Sequence, residues 1–366
     1  MMKKSTKFGI TLLTTGLLVG LAACGSGSKD AKKDDSSAKK DDKNHSVAII
    51  TDVGGVDDKS FNQSAWEGLE AWGKKHDMSK GVDGYDYIQS NDASEYTTNI
   101  DQAVSSGFKT IFGIGYLLTD AVTAAADQNP DTNFGIIDAV IEGKDNVVSA
   151  TFKDNEAAYL AGIAAAYTTK TDKVGFIGGE EGPVIDRFEA GFVMGVQDGA
   201  KELKKDIKVD VKYAASFGDP AKGKALAAKI YQDGADIIYH ASGGTGPGIF
   251  QEAKSINEKR DPDDKVWVIG VDRNQQEDGN YKAKDGKESN FTLTSTIKGV
   301  GAAVEDISTR ALEDKFPGGE HLSYGLKDGG VELVDGNLDA KALDAVKAAR
   351  ERVIKGEVEI PETPKK

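Results

Sequence analysis

From residue 46 onward, short apolar runs alternate with longer stretches in which apolar positions recur every three or four residues. The runs at 47–51, 85–89, 110–114, 133–137 and 147–152 read as strands, and 60–75, 96–104 and 119–126 read as helices between them. In the first helix Phe61, Trp66, Leu69 and Trp72 fall on one face, and Ser60 with Gln63 spells a capping box at its start. A second series follows. Helices are expected at 155–168, 185–201, 221–232, 248–257 and 300–313, and strands at 174–177, 209–215, 236–239, 266–271 and 291–295. Such alternation predicts parallel sheets covered by helices on both faces, and two series of similar size predict two similar α/β lobes.

Ligands of open α/β sheets bind beyond the carboxyl ends of the strands. Three of the apolar runs end in aspartate, at Asp52, Asp138 and Asp272. Another is followed closely by Gly243-Gly244, and another by Ser216-Phe217-Gly218. One such aspartate is ordinarily a turn or cap residue. Three of them across two lobes predict a shared acidic cleft.

The first 45 residues follow a different pattern. Lys3, Lys4 and Lys7 precede an apolar run over 9–23, too short to span a bilayer comfortably, since a helix needs about 20 residues for that. This is the pattern of a secretory signal peptide. It ends in Leu21-Ala22-Ala23-Cys24, which resembles a bacterial lipobox, and Cys24 is the only cysteine in the chain. Its thiol is therefore expected to be acylated, holding the protein on the extracytoplasmic face of the cell membrane. Residues 25–45 carry Gly, Ser, Lys, Asp and Ala without a large apolar side chain and read as a disordered tether.

Composition narrows the function. The chain has 366 residues, 60 of them acidic and 46 basic, with a formal net charge of −14. That balance argues against nucleic-acid binding, which relies on Lys and Arg neutralising phosphates. One cysteine excludes an intrachain disulfide framework, and oligomers through disulfides are not expected; the chain is expected as a monomer. His45, His76, His240 and His321 match no metal-ligand spacing, so no metal or cofactor is expected. The stretch from Gly218 to Ala225 nearly spells a P-loop, but Ala225 stands where Ser or Thr must hold magnesium. No G-x-S-x-G occurs, and nothing points to an enzyme.

Several segments, taken in order, resemble the basic membrane protein family of bacterial lipoproteins. They are Thr51-Asp52-Val53-Gly54-Gly55-Val56-Asp57-Asp58-Lys59-Ser60-Phe61-Asn62-Gln63, Gly135-Ile136-Ile137-Asp138, Tyr159-Leu160-Ala161-Gly162, Arg187-Phe188-Glu189-Ala190-Gly191-Phe192, Ser216-Phe217-Gly218-Asp219-Pro220, Ala241-Ser242-Gly243-Gly244-Thr245-Gly246 and Val271-Asp272. The resemblance implies a type I periplasmic-binding-protein fold, with two Rossmann-like lobes joined by a three-strand hinge. It implies crossings near residues 150, 273 and 322. One lobe would then hold 46–150 and 273–322, including the strand and helix around 291–315, and the other 151–272 and 323–366. The implied function is capture of a nucleoside, a purine nucleoside first, for the permease of an ABC importer. A sugar or signalling molecule on the same fold, or a role as surface adhesin or signalling lipoprotein, remains the alternative.

A nucleoside joins a flat base to a ribose with vicinal hydroxyls. The resemblance makes Phe61 one wall of a base sandwich, with Phe217 expected opposite. Phe188 and Phe192 are the substitutes, although their helical spacing fits core positions better. Asp138 and Asp272 are the candidate ribose acceptors, one from each lobe, and Lys298 the cation that balances them. Asp52 and Asn62 are expected at the edge of the base, and Gly244 where ligand approaches the backbone.

Overall fold

A computed structural model describes residues 45–365. The signal, the lipobox and nearly all of the tether, Cys24 included, lie outside the described residues. The first lobe is built from β1 (Val47–Thr51), α1 (Phe61–Lys75), β2 (Tyr85–Ile88), α2 (Tyr96–Ser105), β3 (Thr110–Ile114), α3 (Thr119–Gln128), β4 (Asn133–Ile137) and β5 (Val147–Phe152). The second follows with α4 (Asp154–Thr168), β6 (Lys173–Gly178), α5 (Pro183–Leu203), β7 (Lys208–Tyr213), α6 (Pro220–Gln232), β8 (Ile237–Ala241), α7 (Gly246–Asn257) and β9 (Trp267–Gly270). A hairpin of β10 (Asn280–Lys282) and β11 (Glu288–Asn290) precedes β12 (Thr292–Lys298), α8 (Val300–Leu312), β13 (His321–Tyr324), β14 (Val331–Leu333) and α9 (Ala340–Ile354).

The strands form two six-stranded sheets, ordered β13-β5-β4-β3-β1-β2 and β14-β12-β9-β8-β6-β7. Pairing is parallel throughout the first. In the second only the edge strand β14 runs antiparallel, against β12. Every residue of β1, β3 and β8 is buried, as a parallel strand covered on both faces requires. This is the type I periplasmic-binding-protein architecture, and the chain passes between the sheets after β5, after β12 and after β13.

One expectation is corrected. The sequence reading assigns the strand and helix around 291–315 together to the first lobe and places a crossing near 273. Instead β12 pairs with β9 in the second sheet. Only α8 returns, packing on α1 with its Gly301 against Gly68. The chain therefore crosses at Gly299, not near residue 273. An apolar strand pattern carries no information about which sheet it joins, so the spacing left this open.

Helix α4 is buried on nearly every face because it lies between α5 and α9. Its alanines supply the necessary thinness. At the α4–α5 contact a Cβ on Gly195 would sit 2.1 Å from the Tyr159 carbonyl oxygen, so only glycine lets the two backbones meet there.

Candidate functional site

The carboxyl ends of both sheets face one cavity with an empty volume of about 510 Å³, part of it open to solvent. Asp52, Phe61, Asn62, Asp138, Phe217, Gly244, Asp272 and Lys298 all line it. The eight positions singled out in the sequence thus share one space. Phe188 lines it too, whereas Phe192 is wholly buried among Phe176 and Tyr239 in the second lobe's core.

The loop after β1 and the start of α1 form one wall. The expected capping box is absent: the Ser60 side chain makes no cap bond to its helix. Asp58 does that work instead, accepting from the backbone N–H groups of Ser60 at 2.8 Å, Asn62 at 2.9 Å and Gln63 at 3.1 Å. The carboxylate also suits the positive end of the helix dipole. Ser60 is freed to donate to Asp272 Oδ2 of the other lobe at 2.5 Å. Asn62 Nδ2 donates to Asp52 Oδ1 at 2.7 Å and to Asp58 Oδ2 at 3.0 Å, and its Oδ1 has no partner among the described residues. The amide is thus oriented by two acceptors, leaving its own acceptor for a donor from outside.

Asp138 follows β4 and Asp272 follows β9, and these strands hold the same position in their sheets. Both aspartates are left-handed, with φ of 70° and 63°. Short polar side chains tolerate that conformation best among non-glycine residues. Burial pushes the Asp272 carboxyl up to about 7, against the opposing effects of Lys298 and Ser60. Burial raises Asp138 as well, with Lys298 again opposing. Asp52 is pushed up to about 6, chiefly by burial.

Lys298 closes β12 and is 3% exposed. Its Nζ lies 2.6 Å from Asp138 Oδ2 and 3.1 Å from Asp154 Oδ1. It also lies 5.1 Å from the ring centre of Phe61, 5.3 Å from that of Phe152 and 5.5 Å from that of Phe188. Burial alone would depress the ammonium, but Asp138, Asp154 and Asp272 outweigh it and hold its pKa above the ordinary value. Arg187 binds Asp154 from behind, with Nη2 at 2.9 Å and Nε at 3.2 Å from Oδ2.

The aromatic walls come from opposite lobes. Phe217 lies in the loop after β7, and a Cβ on Gly179 would meet its ring at 2.3 Å. Gly179 therefore fixes how deep the ring sits. Tyr116 of the first lobe meets Phe217 edge-on, with centroids 6.5 Å apart and planes at 81°. Its buried hydroxyl has no partner among the described residues. Gly244 packs beside the Phe217 carbonyl and faces Gly54 and Asp58 of the other lobe.

The sequence reading missed Tyr116, Asp58, Asp154 and Arg187 as parts of this site. Asp58 and Arg187 stand in quoted motifs but carry no local mark of their role. Tyr116 follows an apolar run ending at Ile114 and Gly115, and that strand end was the available signal.

Residues 45–364 match the Bmp family, described as ABC transporter substrate-binding protein, PnrA-like. The chain belongs to the Bmp family. A relative from Lactococcus lactis subsp. cremoris, named ABC transporter nucleoside-binding protein BmpA, is 51% identical over 98% of this chain and 99% of its own length. Basic membrane protein A of Borreliella burgdorferi is 35% identical over 79% of this chain and 78% of its own. Among solved structures, an ABC transporter solute-binding protein from Aeropyrum pernix K1 superposes with a TM-score of 0.76 at 25% identity, covering 88% of this chain and 94% of that one. As a Bmp protein the chain is a substrate-binding component of a transporter. Among its described residues no helix is long and apolar enough to cross a membrane.

Proposed function

We propose that this Bmp protein captures nucleosides, purine nucleosides foremost, between its lobes and hands them to the permease of an ABC importer. In this reading Cys24 carries the lipid that holds it on the extracytoplasmic face of the membrane. The observation that carries the ligand assignment is one cavity lined by an aromatic ring and a carboxylate from each lobe, Phe61 and Asp138 from the first, Phe217 and Asp272 from the second. Rings suit a base, with about 1–3 kcal/mol per stacked base in single-stranded nucleic-acid systems. Carboxylates suit vicinal hydroxyls, with about 1.5–3 kcal/mol for a hydrogen bond to a charged group. Asn62 Oδ1 and the Tyr116 hydroxyl, without a partner among the described residues, offer polar contacts towards a base edge.

Charge argues for a neutral ligand over a phosphorylated one. Asp52, Asp58, Asp138 and Asp272 line the cavity, and among the described residues Lys298 is its one basic lining residue, already paired. A phosphate placed here would face carboxylates without a free cation among the described residues. Because contacts come from both lobes, binding favours the closed arrangement, which gives a permease a form to recognise.

Isothermal titration of unfolded and refolded protein against guanosine, adenosine, inosine, cytidine, uridine, free bases and ribose tests the reading. The expected result is one-to-one binding of purine nucleosides, weakened about tenfold or more in Phe61→Ala and Asp272→Ala. Folded protein that gives no heat with any nucleoside would overturn it, and heat with ribose alone would point to a sugar.

A further inference from the structure

Gln275 does not line the ligand cavity, yet its carboxamide touches the backbone on both sides of the cleft. Its Oε1 accepts from the Val271 N–H at 2.9 Å, one residue before Asp272. The same oxygen lies 3.1 Å from His240 Nε2. Burial pushes His240 down to about 4, so the ring is neutral at physiological pH, and an oxygen partner makes Nε2 the protonated nitrogen. Gln275 Nε2 donates across the cleft to the Lys59 carbonyl at 2.9 Å, one residue before Ser60 and two before Phe61. The partners on each side leave a single orientation for the amide.

The two chain segments it joins are conformationally costly. Lys59 has φ of 62° and Asp272 has φ of 63°, both in the left-handed region that non-glycine residues rarely adopt. Such residues persist where their surroundings over-determine them. Here the Asp272 carboxylate holds Ser60 while the Gln275 amide holds Lys59, so two residues of one loop in the second lobe grip two successive residues of the first. Gln275 is only 2% exposed and is itself anchored, its N–H donating to Ser295 Oγ at 3.1 Å and its carbonyl accepting from Thr292 Oγ1 at 3.0 Å.

We propose that Gln275 is a positioning residue for ligand capture: its side chain clasps the Lys59 carbonyl when the lobes meet, setting the start of α1 and slowing ligand escape without touching the ligand. The kinetic part rests on the nucleoside reading above; the clasp itself does not. Gln275→Glu is the discriminating variant. It keeps an acceptor for Val271 and His240 but sets an oxygen against the Lys59 carbonyl. Gln275→Met, neutral and of similar length, stands in if the buried glutamate prevents folding.

Two readouts on the full chain separate the possibilities. Hydrogen exchange without added ligand follows peptides spanning 56–66, with those spanning 236–242 as the reference within the second lobe. Stopped-flow guanosine binding then resolves association from dissociation. Gln275→Glu should speed exchange at 58–63 severalfold and leave 236–242 unchanged. It should also raise the guanosine dissociation rate about fivefold to tenfold, within the span expected for one buried hydrogen bond, with association unaltered. Unaltered exchange at 58–63 in both folded variants would overturn the clasp whether or not guanosine binds. Equal losses in both rates would reduce Gln275 to general support of the fold. Absence of guanosine binding by the wild-type chain would count against the nucleoside reading, while the exchange result would still decide the clasp.

Discussion

The two lobes share a strand order and differ in charge. Position by position, β4 matches β9, β1 matches β6, and β5 matches β12. The match extends to backbone detail, since Asp138 and Asp272 take the same left-handed turn. The chemistry then diverges. The first lobe brings Asp52, Asp58 and Asp138 to the cleft, held by the start of a helix and an asparagine. Beyond β6 the second lobe has glycine where β1 is followed by Asp52, and it contributes Phe217, a run of small residues, one carboxylate, Asp272, and Lys298, the one lining cation among the described residues. The scaffold is repeated; the electrostatics are complementary. Lys298 already has Asp154 within its own lobe, whereas Asp138 of the first lobe meets this cation only across the cleft, so the site is complete only when both lobes are present.

Removing that cation should therefore give the largest effect. Lys298→Met leaves Asp138 and Asp154 facing each other without their shared partner. Breaking a buried pair this way costs about 3–5 kcal/mol. Denaturant titration should show that loss, and calorimetry should show weaker nucleoside binding. A variant as stable as the wild type would break the idea that the lobes are charge-complementary.

Next in size is a pH effect. Asp272 and Asp52 are held near 7 and 6, above the ordinary 3.8, so the folded chain keeps protons that the unfolded chain has lost. Stability of the ligand-free protein should fall as pH rises from about 4 to about 7, then level off with respect to these two groups. Scanning calorimetry between pH 5 and 8 checks this. Asp272→Asn should flatten the upper part of the curve and Asp52→Asn the lower part. A melting temperature that climbs through the window in both variants as in the wild type would assign the dependence elsewhere.

The smallest effect is expected at the rim. Arg273 Nη2 lies 2.7 Å from Glu67 Oε1 across the cleft, but Glu67 is about half exposed. Such pairs contribute about 0.2–1 kcal/mol. Glu67→Arg should weaken nucleoside binding less than fivefold, and the exchanged pair with Arg273→Glu should restore it. A larger loss would mean that the rim shares the closing energy with the buried contacts.

How much of this was readable in the sequence follows from the range of each interaction. Val47, Ile49 and Ile50, or Ile136 and Ile137, announce a buried strand because their neighbours repeat the message. Asp52, Asp138 and Asp272 were legible as a group because strand ends converge in any sheet of this class. Ser60 was misread since its partner, Asp272, lies 212 residues away. The local pattern offered a cap, and a long-range carboxylate won. Thr292–Lys298 was recognised as a strand but sent to the wrong lobe, for sheet membership is decided by pairing with β9. Lys298 gained its role from Asp138, Asp154 and Asp272, carboxylates in three separate segments that its own surroundings do not reveal. Helix α9 was not anticipated, although its buried Ala342, Val346, Ala349 and Val353 follow helical spacing.

The three crossings also have a consequence for how the chain is made. The first sheet receives its edge strand only at His321–Tyr324, and the second only at Val331–Leu333. A chain emerging from its N-terminus therefore cannot finish either lobe until nearly all of it is available. Long-range closure of this kind slows folding. For a protein expected to be threaded through a membrane before it folds, that delay keeps the chain pliable for longer.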